Sequence, residues 1–217
     1  MNFRFKFYKT DKFIAKNLIE KYSEQYAKLI KLCFNYDTDN GLLGRLIYRY
    51  DSVLFAYDAN DKNKNLLGFV FVGYDDVVKV TDPIETYVLT KNTVTEHVRS
   101  KIFPVIGSFC RKKGDMYKGL GEKMLIKLIQ IYRDKGEKYL YTIPESTVGL
   151  SEHNKTDNLC GIGAYGYNNR ENDYYRNNQK LIEYYQSIGF KILNNTYYID
   201  PCNVKDVVIY NIMYIDL

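Results

Sequence analysis

The chain has 217 residues, which suits one domain, or one domain with insertions, and suffices to bury a core without staples. Hydrophobic residues make up 46% of it, which excludes a disordered chain. The 31 basic and 26 acidic residues leave a net charge of +5, too weak and too scattered to imply nucleic acid.

Phe3, Phe5 and Phe7 alternate with Arg4, Lys6 and Tyr8, which predicts a half-buried first strand. Tyr22, Tyr26, Leu29, Ile30 and Phe34 fall at helical spacing and predict a helix over 21–34, ended by the turn-like run Asn35 to Gly41. A second short helix fits 42–50. Ser52 to Tyr57 and Leu66 to Tyr74 read as a β-hairpin around a polar turn. Between 75 and 101 only short strands at 77–81 and 86–90 suggest themselves. Ile102 to Cys110 reads as a buried strand. Leu120, Met124, Leu125, Leu128, Ile131 and Tyr132 line one side of a long helix that Gly136 should stop. Lys138 to Ile143 is a strand broken by Pro144. Glu145 to Arg176 is an irregular stretch rich in Asn, Gly, Asp and Tyr, and such a long loop is usually functional. A helix over 178–188, stopped by Gly189, and strands at 190–199 and 207–215 complete the order. Neither a repeat nor a domain boundary is visible, and the pattern is mixed α/β around one sheet.

Tyrosine is abundant (23 residues) and reads as compositional bias rather than a binding signal. Cys33, Cys110, Cys160 and Cys202 are widely spaced and form no CxxC, which argues against a disulfide framework or a zinc site, so no metal is expected. The start, Met1 to Lys6, does not read as a signal peptide. The longest apolar stretch is about half of what a membrane helix needs. The expected setting is therefore cytoplasmic and reducing, with no membrane partner.

The informative segment runs from Ile106 through Arg111, Lys112, Lys113 and Lys118 to Gly119-Leu120-Gly121. An apolar strand enters a polar turn, which opens a long helix. Amides at a helix N-terminus lack internal partners and the macrodipole is positive there, so glycines at that point make a cradle for a diphosphate. A second pattern, Gly161-Ile162-Gly163-Ala164-Tyr165-Gly166, matches a dinucleotide fingerprint in letters. It follows no strand and precedes no apolar helix, so it reads as a loop.

Phe109 to Gly121 resembles the motif of GCN5-related N-acetyltransferases (GNAT), in which a strand leads into (Arg/Gln)-x-x-Gly-x-(Gly/Ala). Gly119 and Gly121 match, and Met116 stands where Arg or Gln is usual. Asn178 to Phe190 resembles the family's Asn-x-x-Ala-x-x-x-Tyr-x-x-x-Gly-Phe, with Leu181 at the small position. The resemblance implies one α/β domain over 1–217 with a loop insertion at about 145–176. It implies a GNAT-like acyl-CoA N-acyltransferase fold, a mixed, mostly antiparallel sheet flanked by helices. It further implies acetyl-CoA or coenzyme A as cofactor and direct transfer of an acetyl group to a primary amine of a small molecule, peptide or protein. No nucleic-acid partner is expected. A non-catalytic coenzyme A-binding or interaction module keeping the fold is the alternative.

Residue by residue, the resemblance gives Phe109, Cys110 and Arg111 backbone contacts to the pantetheine arm. It gives Met116, Tyr117, Lys118, Gly119, Leu120, Gly121 and Glu122 the diphosphate loop. Asn178 becomes a pantetheine contact, or simply a helix cap. Tyr185 becomes the general acid for the departing thiolate, or a packing tyrosine. An acyl-cysteine route through Cys110 is disfavoured, because no histidine partner is evident. Glu85, Glu96, His97, Glu145, Glu152 and His153 are open candidates for the base. Asp37 and Asp39 could line the acceptor pocket, or merely form a solvated turn.

Overall fold

The computed structural model describes residues 2–10, 12–34, 41, 43–44, 47, 50–61, 63–76, 102–142, 144, 173–199 and 209–217. Its elements are β1 (Phe3–Lys9), α1 (Lys12–Phe34), β2 (Ser52–Asp58), β3 (Leu66–Asp76), β4 (Ile102–Arg111), a 3-10 turn (Asp115–Tyr117), α2 (Leu120–Asp134), β5 (Tyr139–Thr142), α3 (Asp173–Ser187), β6 (Lys191–Ile199) and β7 (Ile209–Asp216). The fold is mixed α/β, with a seven-stranded, mostly antiparallel sheet. Two compact units divide it: Met1–Tyr74 with Pro104–Leu140 and Leu217, and Asp75–Phe103 with Tyr141–Asp216.

In the first unit the strands run β1-β2-β3-β4, followed by the first half of β5. β1 pairs antiparallel with β2 (Phe5 opposite Ala56), and β2 with β3 (Phe55 opposite Phe69). Period-2 alternation then decides the two faces. Phe55, Phe69 and Phe71 face α1, where Tyr22 and Tyr26 meet them: Tyr26 lies 4.6 Å from Phe69 and Tyr22 lies 5.4 Å from Phe55. The other face carries α2. Phe7 meets the Tyr132 ring edge-on at 6.2 Å, and the Tyr132 hydroxyl shares a 2.8 Å hydrogen bond with Ser52 Oγ. Burying an aromatic of this size contributes roughly 2–3 kcal/mol. Tyr22, Tyr26 and Tyr132, all three on the helical stripes read from the sequence, are nearly inaccessible, so part of the tyrosine content is core.

The β2–β3 register slips once: Ala56 faces Gly68 but Tyr57 faces Leu66, leaving Leu67 as an extra residue. This is a β-bulge. The freed Leu67 carbonyl accepts the Lys112 amide at 2.8 Å, tying down the chain just beyond β4.

The second unit holds the last half of β5, α3 and the antiparallel pair β6–β7, with Lys191 opposite Tyr214 and Tyr198 opposite Tyr210. Tyr141 of β5 lies 6.2 Å from Tyr214 of β7.

Several boundaries differ from the sequence reading. α1 starts at Lys12 rather than Lys21, because Ala15 and Leu18 extend the buried stripe by two turns. α3 starts at Asp173, so the segment assigned to a loop through Arg176 ends earlier. The stops at Gly136 and Gly189 hold, both at positive φ (79° and 105°). Of 42–50, residues 43, 44 and 47 are helical. The strands expected at 77–81 and 86–90 and the stretch 145–172 lie outside the described residues. No helix among the described residues is long and apolar enough to cross a membrane.

Cysteine usage is corrected as well. Cys33, in the last turn of α1, and Cys110, on β4, form a disulfide, with Cα atoms 5.9 Å apart. Separated by 77 positions, the pair has no local motif, and only the packing of α1 on the sheet brings it together.

Candidate active site

β4 ends at Arg111, whose guanidinium turns back and donates to the Lys112 carbonyl at 3.1 Å. The 3-10 turn follows: the Tyr117 amide donates to Gly114 O at 2.9 Å and the Lys118 amide to Asp115 O at 3.1 Å. Lys118 is extended, and Gly119 then takes the left-handed conformation (φ 76°, ψ −3°) as the N-cap of α2. A side chain at Gly119 would meet nothing within 4 Å, so only its dihedral demands glycine there. The Gly119 carbonyl accepts the Lys123 amide at 3.0 Å, which closes the first helical turn. No side chain caps this end. The amides of Leu120, Gly121 and Glu122 are thus first-turn donors at the positive end of a fifteen-residue helix.

Around that end the side chains sort by burial. Leu120 and Gly121 are buried and hold the turn to the core. Lys113, Lys118 and Glu122 are exposed. The Lys112 ammonium stands 5.9 Å from the centre of the half-buried Tyr117 ring. Met116, in the place of Arg or Gln, is 61% exposed. The local charge comes from lysines rather than from the motif's own first position.

β4 has an irregularity of its own. A Cβ on Gly107 would stand 2.2 Å from the Tyr50 ring, and Tyr50 belongs to the α1-side core. Cys110 also points to that side, toward Cys33. Residues three apart on a regular strand face opposite ways, so the pleat slips once between them. Phe109 and Arg111 flank Cys110 at half-buried positions. Cys110 is buried and disulfide-bonded, so it offers no free thiol for an acyl-cysteine route.

In the second unit, α3 ends in a Schellman motif: the Phe190 amide donates to Tyr185 O at 3.1 Å and the Gly189 amide to Gln186 O at 2.9 Å. The motif's hydrophobic contact is the edge-on pair Tyr185–Phe190 at 5.2 Å. This locks Tyr185 at the third position from the helix end. Its phenol is buried and hydrogen-bonded by the hydroxyl of Thr142, itself buried on β5. Burial pushes the Tyr185 pKa up to about 12, while the Thr142 bond lowers it. No sequence signal pointed to Thr142. Asn178 lies in α3 seven residues, about two turns, before Tyr185; its side chain lies outside the described residues. So do Asp37, Asp39, the glycines at 161–166 and all six base candidates. Among the described residues, no group of three or more His, Cys, Asp or Glu could hold a metal ion.

No protein-family model matches the sequence, and no curated protein matches it either. Solved structures do match over the whole chain. An N-acetyltransferase from Staphylococcus aureus Mu50 superposes with a TM-score of 0.54 at 12% identity, covering 100% of this chain and 98% of that one. The NatC complex bound to Gag peptide and CoA gives 0.53 at 11% identity, with 100% and 99% covered. The loading GNATL domain of CurA from Lyngbya majuscula gives 0.52 at 13% identity, with 100% and 98% covered. With strand, glycine turn and helix N-terminus arranged as described, the chain has the fold of the GNAT acetyltransferases.

Proposed function

We propose that this chain is an acyl-coenzyme A-dependent N-acyltransferase built as one functional domain, moving an acetyl group from acetyl-CoA to a primary amine by direct attack. One observation carries the reading: the uncapped N-terminus of α2, opened by left-handed Gly119 and set among Lys112, Lys113 and Lys118. Amide donors there suit a diphosphate, and the lysines supply charge that Met116 does not. The NatC structure, a complex with CoA, lends support at the level of the fold.

In this reading the amides of Leu120, Gly121 and Glu122 bind the diphosphate, with Tyr117 and Lys118 shaping the approach. Backbone groups of Phe109, Cys110 and Arg111 pair with the pantetheine arm, and one of these amides faces the acyl oxygen as negative charge develops. Asn178 holds the arm's amide portion. Acetyl-CoA supplies the thioester. The amine nitrogen attacks the carbonyl carbon, the C–S bond breaks, and Tyr185 gives its proton to the leaving sulfur. A phenol held neutral by burial keeps that proton throughout the physiological range. The acceptor is an amine of a small molecule, peptide or protein, and the setting is intracellular.

The exposure of Met116 and the depth of Tyr185 favour a second reading, a coenzyme A-binding module without turnover. Calorimetry with coenzyme A, read beside acetyl-CoA hydrolysis and a screen of polyamines, amino sugars and peptides, separates the two. Binding with acyl transfer supports the enzyme, binding without transfer or hydrolysis supports the module, and absence of binding removes both.

A further inference from the structure

The Cys33–Cys110 pair joins the last turn of α1 to the strand that the proposed function assigns to the pantetheine arm. Its two sulfurs are unequally placed. Cys110 is 3% exposed within the aromatic core, whereas Cys33 is half-buried at its border. Each sulfur also stands beside a carbonyl: Cys33 Sγ is 3.4 Å from Arg111 O, and Cys110 Sγ is 3.3 Å from Leu29 O. In the reduced protein each S–H would therefore find an acceptor already in place, so neither redox state leaves a buried thiol unpaired. A chain of intracellular setting is not expected to keep such a bond permanently, since disulfides found there are usually transient.

We propose that Cys33–Cys110 is a thiol–disulfide exchange site, attacked at Cys33 by a small-molecule thiol, whose redox state sets the affinity of β4 for coenzyme A. The step balances. An external thiolate bonds to Cys33 Sγ, the bond to Cys110 breaks, and its electron pair leaves on Cys110 Sγ, which takes a proton. A second external thiol attacks the mixed disulfide, releases the Cys33 thiol and leaves as the oxidised small-molecule disulfide. The reverse direction needs a small-molecule disulfide as oxidant. Attack at Cys33 rather than Cys110 follows from access, because exchange requires an in-line approach to the sulfur. The link to binding is adjacency: Arg111, next to Cys110, has its carbonyl beside Cys33. Oxidation fixes the end of β4 against α1, and reduction frees it. The functional half of this inference rests on the proposed coenzyme A site.

The test uses the full chain with Cys160→Ser and Cys202→Ser, so that only one pair can form. Glutathione disulfide is the oxidant and glutathione the reductant. Mass spectrometry after partial reduction should find the glutathione adduct on Cys33. Calorimetry on protein freed of glutathione, with acetyl-CoA as the probe because its acylated sulfur cannot exchange, should find the oxidised protein binding roughly fivefold or more tightly than the reduced one, a typical coupling between linked sites. Adding Cys33→Ser, at the half-buried position, should give the reduced affinity and abolish the response to glutathione. Two alkylatable thiols persisting after oxidation, an adduct on Cys110, or equal affinities in the two states would each overturn the proposal. Equal affinities with binding intact leave the acyltransferase reading standing. No binding in either state removes both.

Discussion

Thr142 on β5 hydrogen-bonds the buried phenol of Tyr185 on α3, in a pair whose residues lie 43 positions apart in sequence. The threonine hydroxyl lowers a pKa that burial raises, so it restores part of the acidity that burial takes from the proposed proton donor. Tyr185→Phe should preserve packing against Phe190 and leave coenzyme A affinity nearly unchanged, while kcat falls by about 100-fold. Thr142→Val keeps the shape and removes the donor. It should lower kcat less, and move any alkaline limb of the rate profile upward in pH. Steady-state kinetics with the best amine found decides this; an unchanged kcat for Tyr185→Phe, with chemistry limiting, returns Tyr185 to a packing role.

Stability should fall in alkali through Tyr185 and Tyr132. Each phenol is raised from 10.0 to about 12, chiefly by burial. The folded state holds the neutral form while the unfolded chain ionises first. Their contribution is therefore complete below pH 10 and is lost as pH rises through about 12. Urea midpoints measured at about pH 9 and 11 should differ, and the difference should shrink in Tyr185→Phe.

Two glycines of the loop should respond differently. Gly119→Ala meets open space, so its effect is backbone strain alone, about 1 kcal/mol of stability. Gly121→Val sits in the buried first turn and should weaken coenzyme A binding far more than folding. Thermal unfolding and calorimetry on both variants separate the effects, and normal coenzyme A binding by Gly121→Val would misplace the site.

Gly107 and Tyr50 should be strongly non-additive. Gly107→Ala places a carbon where the Tyr50 ring lies and should cost about 1–3 kcal/mol. Tyr50→Ala removes the half-buried ring that stacks 5.5 Å from Phe71. In the double variant the clash is gone, so the summed single costs should exceed the double cost by about 1 kcal/mol or more in denaturant melts.

The parts of the fold that rest on local chemistry were legible. Gly119, Gly136 and Gly189 marked helix ends, and all three have positive φ. Alternation in β1 named the half-buried Phe3, Phe5 and Phe7, and the stripe on α2 named Leu120, Met124, Leu125, Leu128 and Tyr132, which are buried. Ile131 is half-buried instead, and the buried Ile129 lay off the stripe as read. What escaped depended on distant partners. Thr142 carries no mark until α3 is folded against it. The Cys33–Cys110 bond needs α1 seated on the sheet, and the early turns of α1 are polar enough to hide Ala15 and Leu18. Tyr22 and Tyr26 were legible as members of the apolar stripe of α1, but their partners Phe55 and Phe69 were not, because those lie on another element. Within the candidate site, the glycine turn was readable because a helix N-terminus is a local object. The environment of Tyr185 was not, because burial is a property of the assembled chain.

The bulge at Leu67 bears from behind on the loop proposed to hold the diphosphate. It brings Gly68 under α2, where a Cβ would lie 2.9 Å from Met124 Sδ and 2.9 Å from the Cys110 carbonyl. Met124 is four residues, about one turn, into that helix. Glycine at 68 thus sets the height at which the helix rides over the sheet near its first turn. A single methyl there would act as a wedge beneath a lever: levelled against a backbone carbonyl that cannot yield, it would tilt Leu120 and Gly121 away from β4, altering the aim of their amides without touching the loop itself.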